Sequence, residues 1–408
     1  MKRHTAAIAL SLALSLLPVF PSYPAEVAAP GLEKVAEGNN EFAIEIYRRL
    51  AVPGKNLFIS PLSIGTAFAM TVAGARGATR GEIERVLRFR ASGDELARSW
   101  SGLLADLDER AKSGKFQWNA ANRIWIEKKF SLGKDFIKTM KKSYDAAVKQ
   151  VNFSGDPEGA RGDINDWVAE RTKNRITGLL PGGSVTSATG LVITNAVYFL
   201  GTWEHPFDEK STTQAEFSIS PVRKAMVPMM INTGSYRFAE YGDLSAIALP
   251  YKSGNAGGGS LSMLVLLPKK PAGLADLEKK MSAAALARWT AGLAASEVVV
   301  ELPRFEVTSF AGLSEQLKAM GMKTAFSPAA DFSGMAPNLF IGEAFHKAYV
   351  SVNEKGTEAA AATAILMVRA NGGKKLSFRA DHPFLFAIRD DRTGAILFIG
   401  RVVDPLAK

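Results

Sequence analysis

A run of ten residues in the middle of the chain, 191–200 (LVITNAVYFL), is almost entirely apolar and rich in β-favouring side chains. A strand that is covered on both faces has such a continuous apolar run, whereas a strand with one solvent-exposed face alternates apolar and polar residues. A membrane-spanning helix needs about 20 apolar residues, and no segment of the body has them. The run therefore predicts the central strand of a sheet that has other layers packed on both of its faces.

Helical and strand patterns alternate through the rest of the body. Apolar residues recur at helical spacing over 32–50, and period-two alternation over 116–126 predicts a strand with one buried face. The remaining patterns predict helices at 63–75, 79–87, 94–111, 274–281 and 310–320, and strands at 246–250, 261–267, 297–307, 339–352, 384–388 and 395–403. No proline-, glycine- or serine-rich linker is long enough to separate two domains, so we expect a single α+β domain over residues 30–408.

The N-terminus has the pattern of a targeting segment. Lys2 and Arg3 give a basic start, and residues 5–20 form an uncharged, Ala/Leu-rich run that ends among prolines. This arrangement is typical of a secretory signal peptide, and the run is too short to span a membrane. We predict a signal peptide over residues 1–25, cleaved between about 22 and 30, and a soluble, secreted (extracellular or periplasmic) protein.

Several kinds of chemistry are absent from the sequence. The chain has no cysteine and four histidines, none of them in HExxH or close-pair spacing, so we expect neither disulfides nor a metal site. It also lacks the GxSxG, GxGxxG and GxxxxGK[ST] motifs, and we expect no cofactor and no enzyme activity. A Ser–His–Asp triad is defined by geometry, so His205, His346 and His382 keep that alternative open.

The chain carries a formal net charge of +10, and its basic residues are densest over 128–149. There Lys134, Lys138, Lys141 and Lys142 share one face of a predicted helix. We interpret this face as solvated and expect no nucleic-acid partner; a site for an anionic polymer is the alternative.

Residues 354–363 (EKGTEAAAAT) do not fit an ordinary surface helix or strand. Alanine favours helix, but the segment follows a predicted strand directly, has no apolar stripe and leads into β-favouring residues. No proline occurs from 354 to 382, and Gly356 can act as a pivot. This composition suits a segment that leaves one environment and enters a sheet.

The chain resembles the serpin family of serine protease inhibitors at this segment and at five other places in the same order. These are 56–79 (NLFISPLSIGTAFAMTVAGARGAT), 194–207 (TNAVYFLGTWEHPF), 302–305 (LPRF), 331–335 (DFSGM), and the pair 382–384 (HPF) with 400–405 (GRVVDP). The matches extend over nearly all of residues 35–406. We expect a prokaryotic, secreted and monomeric member.

The resemblance implies a serpin fold with three β-sheets, eight or nine helices and an exposed reactive loop at about 356–374. It implies a suicide-substrate inhibitor: a serine protease attacks the loop, and the cleaved loop then inserts into the central sheet and traps the acyl-enzyme. The alternative is a non-inhibitory, serpin-fold binding or chaperone-like protein. The hinge of the loop, within residues 354–363, has a composition that permits insertion into a sheet, and this favours the inhibitor.

The resemblance also implies site residues. The hinge comprises Glu354, Gly356, Thr357, Glu358, Ala359, Ala360, Ala361, Ala362 and Thr363. Ser60, Ser63, Asn195 and His346 match a polar cluster that controls opening of the central sheet. Trp203 and the ion pair of Arg304 with Glu354 match the point where the loop inserts. Thr357 should be the first inward-facing residue to enter the sheet on insertion.

The family pattern places the cleaved bond between Ala370 and Asn371, which suits an elastase-like protease. The alternative bond, between Arg369 and Ala370, suits a trypsin-like protease. In the family, heparin-binding members carry basic residues on the helix that corresponds to 94–111. Here that helix mixes Asp94, Glu95, Asp106, Asp108 and Glu109 with Arg98 and Arg110, so a heparin site is not supported.

Overall fold

The computed structural model describes residues 31–112, 116–144, 148–252, 261–357 and 376–407. The predicted signal peptide lies outside these residues. Nine α-helices occur within the described ranges. They are α1 (Leu32–Leu50), α2 (Pro61–Gly74), α3 (Gly77–Val86), α4 (Gly93–Ala111), α5 (Lys134–Tyr144), α6 (Pro157–Arg171), α7 (Leu274–Lys280), α8 (Ala283–Ala291) and α9 (Ser314–Ala319).

Within the same described ranges, fifteen strands form two hydrogen-bonded sheets, which together with the helices make the predicted α+β fold. They are β1 (Leu57–Ile59), β2 (Phe116–Glu127), β3 (Val148–Val151), β4 (Leu191–Thr202), β5 (Thr213–Ser220), β6 (Arg223–Glu240), β7 (Leu244–Pro250), β8 (Leu261–Pro268), β9 (Ala294–Pro303), β10 (Phe305–Gly312), β11 (Glu343–Asn353), β12 (Gly356–Thr357), β13 (Leu376–Arg379), β14 (Phe384–Asp390) and β15 (Ile396–Val402).

The six-stranded sheet has the order β10-β11-β12-β4-β2-β3. The predicted central strand is β4, and it is covered on both faces, as its apolar run indicated. Ile193 and Val197 face the main hydrophobic core, while Val192 and Ala196 belong to a second, smaller core on the opposite face. That second core is closed by α6, which packs three of its residues against the sheet.

The nine-stranded sheet contains the other strands, in the order β1-β15-β14-β8-β7-β6-β9-β13 with β5 added beside β6. β6 is 18 residues long and pairs with β5 along its first half and with β7 near its end. The second and third of the three expected sheets are therefore continuous through β6 in the described residues.

Three predicted elements differ by more than two residues at an end, and the simplest case is the strand expected at 339–352, which begins only at Glu343. The strand expected at 297–307 is two strands, β9 and β10, which belong to different sheets and turn at Arg304. The buried positions shift by one residue just before this turn, because Leu302 and Pro303 are both buried: they are even-numbered over 298–302 and odd-numbered over 303–311. The helix expected at 310–320 begins only at Ser314, because the preceding residues complete β10.

The helix α2 lies between the two sheets and contacts β15 on one side and β2 and β4 on the other. All of its residues except Ala73 are buried. Its N-terminus is capped by the Ser60 side chain, which accepts a hydrogen bond from the Ser63 amide (3.2 Å). This cap places two polar side chains directly behind the six-stranded sheet.

Candidate functional site

The chain reverses at the end of β11 in a two-residue turn at 354–355 and forms β12. β12 is inserted between β11 and β4 and is antiparallel to both: Thr357 pairs with Val352 on one side and with Gly201 on the other. Below this point β11 and β4 pair directly in parallel, from Glu343 with Val192 to Tyr349 with Tyr198. The two strands thus form a seam that is closed along most of its length and opened at one end by β12.

Gly356 fits this position because it has no side chain. Its φ angle is +152°, a conformation that residues with a side chain rarely adopt. A Cβ atom at this position would lie 1.9 Å from the carbonyl oxygen of Gly201 on the neighbouring strand. Both the backbone conformation and the space therefore require glycine at this position.

Thr357 already lies inside the sheet in this form of the protein. Its side chain is fully buried, and its hydroxyl forms a hydrogen bond of 2.6 Å with the Tyr251 phenol. The Tyr251 ring stacks on Trp203 with 4.6 Å between ring centroids and packs edge-on against Phe199 at 5.0 Å. Thr357, which the resemblance implied would be the first inward-facing residue to enter the sheet, is thus already seated in the seam in the described structure, with its backbone and hydroxyl paired.

Glu354 and Arg304 meet at the turn, as the resemblance implied. The Glu354 carboxylate is almost completely buried and accepts a hydrogen bond from Arg304 Nε (2.6 Å) and one from the Thr212 hydroxyl. Burial alone would raise the pKa of Glu354, but these hydrogen bonds outweigh it and hold the pKa below its ordinary value. The carboxylate stays charged and fixes the turn to the start of β10.

Trp203 holds the same turn from the other side. Its indole N–H donates to the Asn353 carbonyl (2.9 Å), and its backbone N–H donates to the Lys355 carbonyl (3.0 Å). The Phe207 amide donates to the Glu354 carbonyl at 2.9 Å. The turn is therefore anchored by residues that are distant in sequence, and the strand it projects is directed into the seam.

The second part of the site is the polar cluster behind the seam. His346 and Asn195 are register partners on β11 and β4, and His346 Nδ1 hydrogen bonds to Asn195 Oδ1 across the seam. On the other side of the imidazole, the Ser60 amide donates to His346 Nε2 (3.1 Å). Because Nε2 accepts, the proton is on Nδ1, and the ring is a neutral imidazole with one fixed tautomer.

The cluster extends to β2 through Asn122, a residue that the sequence analysis missed. Asn195 Nδ2 donates to Ser63 Oγ (2.7 Å) and to Asn122 Oδ1 (2.5 Å), and the Ser63 hydroxyl donates to Asn122 Oδ1 (2.9 Å). The cluster therefore ties three strands of the sheet to α2. Separation of β11 from β4 requires the loss of the His346–Asn195 bond.

Burial of His346 has an electrostatic consequence. The side chain is fully buried, and this desolvation lowers the pKa of His346 to about 3. Among the described residues, the hydrogen-bond partners of the two ring nitrogens are the Ser60 amide and Asn195 rather than a carboxylate. The described structure therefore gives His346 a structural hydrogen-bonding position rather than that of a base in a Ser–His–Asp triad.

The rest of the predicted site lies outside the described residues. This applies to the hinge residues Glu358, Ala359, Ala360, Ala361, Ala362 and Thr363 and to Arg369, Ala370 and Asn371 at the two candidate bonds. The basic face expected at 134–142 is present on α5, where Lys134, Lys138, Lys141 and Lys142 are all exposed. None of the helices within the described ranges combines the length and apolar character that a membrane crossing requires.

Comparison with known proteins identifies relatives of this architecture. The family model described as serpin (serine protease inhibitor) matches residues 37–405. An uncharacterized serpin-like protein of Thermococcus kodakarensis is 38% identical over 391 residues, which cover 94% of this chain and 89% of the relative. The leukocyte elastase inhibitor of Homo sapiens is 36% identical over 387 residues, or 92% of this chain and 100% of the relative.

Solved structures agree with the sequence comparison. Uncleaved ovalbumin superposes with a TM-score of 0.82 at 31% identity and covers 91% of this chain and 100% of its own. Human thyroxine-binding globulin complexed with thyroxine superposes with a TM-score of 0.83 at 29% identity, covering 92% of this chain and 100% of its own. The similar proteins thus include inhibitors of proteases and a protein complexed with a small molecule.

Proposed function

Because the chain belongs to the serpin family, we propose that it is a suicide-substrate inhibitor of serine proteases. The protease attacks the reactive loop, its serine forms an acyl-enzyme, and the cleaved loop inserts between β11 and β4 as a full strand. The protease is carried with the loop and its active site is distorted. The observation that carries this proposal is β12, a strand of two residues already seated at the open end of the seam.

The geometry of the seam supports insertion as a favourable step. A strand of about a dozen residues would gain hydrogen bonds on both edges, at roughly 0.5–1.5 kcal/mol net for each bond. The total is on the order of 10 kcal/mol, which is comparable with the stability of a whole domain. The intact form is then kept by a kinetic barrier, and the His346–Asn195 bond across the seam is part of that barrier.

The alternative is a binding protein that does not insert its loop. Its support is the similarity to thyroxine-binding globulin, which is complexed with thyroxine in its solved structure. Against it stand the absence of a side chain at Gly356 and the burial of the small Thr357 side chain, both of which suit a backbone that enters the seam. We therefore favour the inhibitor.

The experiment that separates the two functions uses protease and denaturing electrophoresis. The protein is incubated with pancreatic elastase and, separately, with trypsin, and the released peptide is identified by mass spectrometry. We expect a denaturant-resistant complex with one of them and a peptide that begins at Asn371 for the elastase-like site or at Ala370 for the trypsin-like site. Cleavage of the loop with all of the protease recovered free and active would favour the binding protein.

A variant at the alternative bond tests which bond is used. If trypsin cleaves after Arg369, Arg369→Ala should remove complex formation with trypsin and leave complex formation with elastase unchanged.

A separate experiment tests the proposed secretion, which rests on the basic and apolar start of the chain: the N-terminus of the protein exported by its host is sequenced. Mature protein with residues 1–20 still attached would contradict export.

A further inference from the structure

A cavity of about 520 Å³ lies between the C-terminal end of α1, the helix α7 and the turn that joins β5 to β6. Its lining includes Pro383, which precedes β14, and Val403, which follows β15. It shares no lining residue with the hinge or with the His346 cluster. Cavities of this volume are the size that encloses drug-sized organic molecules.

The apolar part of the cavity lining, called the wall below, consists mainly of prolines and aliphatic side chains. Four prolines contribute to the lining, and their rings restrict the backbone on which they stand. Leu274, Ile219 and Val403 also line the cavity and are nearly completely buried. The wall therefore offers a rigid apolar surface that exists before any ligand binds.

The floor of the cavity is polar, but its polar side chains form hydrogen bonds with one another. The buried Tyr47 hydroxyl donates to Glu278 Oε1 (2.6 Å), and the buried Arg401 donates to the same oxygen from Nη1 (2.7 Å). Arg401 Nε also donates to the Lys55 carbonyl (2.9 Å). The negative charge of Glu278 is thus neutralised by Arg401, and the floor presents no uncompensated anion to the cavity.

The rim near the floor is cationic. Arg48 and Lys279 are both exposed, and three cationic side chains line the cavity against one carboxylate, Glu278. Arg48 has no carboxylate within ion-pair distance among the described residues; its Nη2 donates to backbone carbonyls at the end of α7, including that of Lys279 (3.2 Å). In the part of the chain that the structure describes, the ion pair of Lys279 is an exposed contact of 3.4 Å with Asp276 on its own helix. The rim therefore offers positive charge to an anion.

From the rigid apolar wall and the cationic rim, we infer that this cavity binds an amphipathic organic anion, with an aromatic or aliphatic body and one carboxylate or sulfonate group. The body lies against the proline wall, where water is displaced from apolar surface. The anionic group lies at Arg48 and Lys279, where a charge-assisted hydrogen bond is stronger than a neutral one. This site shares no lining residue with the seam into which the loop is proposed to insert.

The test uses 8-anilinonaphthalene-1-sulfonate, an apolar aromatic anion, as the probe in isothermal titration calorimetry with the intact protein. We expect saturable binding of one probe molecule per chain. Ala275→Trp places a large side chain from an exposed position of α7 into the cavity and should abolish this binding. Lys279→Gln should weaken it about tenfold, since it removes a charged partner of the sulfonate.

The matched control is Lys280→Gln, which makes the same charge change one residue later on α7. Lys280 does not line the cavity and pairs instead with Asp243. We expect its binding constant to equal that of the parent. Binding that persists unchanged in Ala275→Trp and in Lys279→Gln, or no saturable binding to the parent, would overturn the inference, whatever the outcome of the protease experiments.

Discussion

The Thr357 hydroxyl and the Tyr251 phenol are each other's hydrogen-bond partner in a fully buried position. Tyr251→Phe removes one partner and leaves the other unsatisfied, which should lower the free energy of unfolding by about 1–3 kcal/mol. Thr357→Val should have a similar effect. The double variant should recover part of the loss, because no buried hydroxyl is then left without a partner.

This cycle is measured by urea unfolding of the intact protein. Tyr241→Phe is the control: its hydroxyl donates to the Trp289 carbonyl (2.7 Å) in a half-buried position, so its removal should have a smaller effect. Strictly additive losses in the double variant would mean that the two hydroxyls do not interact, and that Thr357 is not held in the seam by Tyr251.

The burial of neutral His346 should make the stability of the protein depend on pH. Its pKa is lowered by burial to about 3, whereas the unfolded chain has the ordinary value of about 6.5. Between these values the unfolded state binds more protons, so stability is fully present above pH 6.5 and is lost as pH falls towards 3. The loss approaches about 1.4 kcal/mol per pH unit.

The comparison of the parent with His346→Gln isolates this contribution from that of the carboxylates. Urea unfolding at pH 7 and pH 4.5 should show an additional loss of about 2–3 kcal/mol in the parent. The seam should also open more readily on acidification, because a protonated Nε2 no longer accepts from the Ser60 amide. Equal pH dependence in parent and variant would contradict a neutral, buried His346.

At the scale of the element, β12 depends on the absence of a side chain at Gly356. Gly356→Ala should expel β12 from the seam, since the new methyl group would lie 1.9 Å from the Gly201 carbonyl oxygen and the φ angle of +152° disfavours alanine. Exchange of the Thr357 amide hydrogen, measured by mass spectrometry, should become faster in the variant.

The control variant Gly54→Ala separates the steric clash from the unfavourable backbone conformation. Gly54 also has a positive φ angle, +73°, but no atom lies within 4 Å of the position of its Cβ. This control should lose about 1 kcal/mol of stability for the backbone conformation alone and leave exchange at Thr357 unchanged. Equal exchange at Thr357 in parent and Gly356→Ala would show that β12 does not need glycine.

The elements that the sequence predicted well are those with a strong local pattern. α1 has the predicted limits of 32–50, and β4 was identified from its continuous apolar run. α6 was missed because only Ala160, Ile164 and Val168 are buried, so its pattern is mostly polar. β5 and most of β6 were missed because their exposed stretches mask the alternation.

The candidate site was predicted in part, and the missing part has a physical reason. The family motifs contain Ser60, Ser63, Asn195, His346, Trp203 and Arg304, and the structure brings these residues together in two clusters. Asn122 on β2 and Tyr251, which directly follows β7, were missed because each acquires its hydrogen-bond partner only when segments distant in sequence come together. Nothing in local composition marks such residues.

At the scale of the whole molecule, the seam explains how one sequence can have two stable arrangements. In the described form β11 and β4 pair in parallel over 343–349 and 192–198, and only β12 separates them. A full inserted strand would replace this single ladder by two antiparallel ones, which are slightly more stable for each residue. The molecule should therefore become more stable when its loop is cut.

The last prediction tests this consequence through Thr357→Arg. The variant places a charge without a partner in a position that is fully buried, at a cost of several kcal/mol. β12 should leave the seam in the intact variant, and the cleaved loop should fail to insert. Elastase or trypsin should then cut the variant at the same bond as the parent and be recovered active, because the acyl-enzyme has time to hydrolyse. The large rise in melting temperature on cleavage, expected for the parent, should be absent.

Lys355→Arg is the matched control, because it introduces the same residue type two positions earlier, at the turn, where Lys355 pairs with Glu209 (3.2 Å). This variant should trap protease as the parent does. Efficient trapping by Thr357→Arg would rule out insertion through this end of the seam as the mechanism of inhibition.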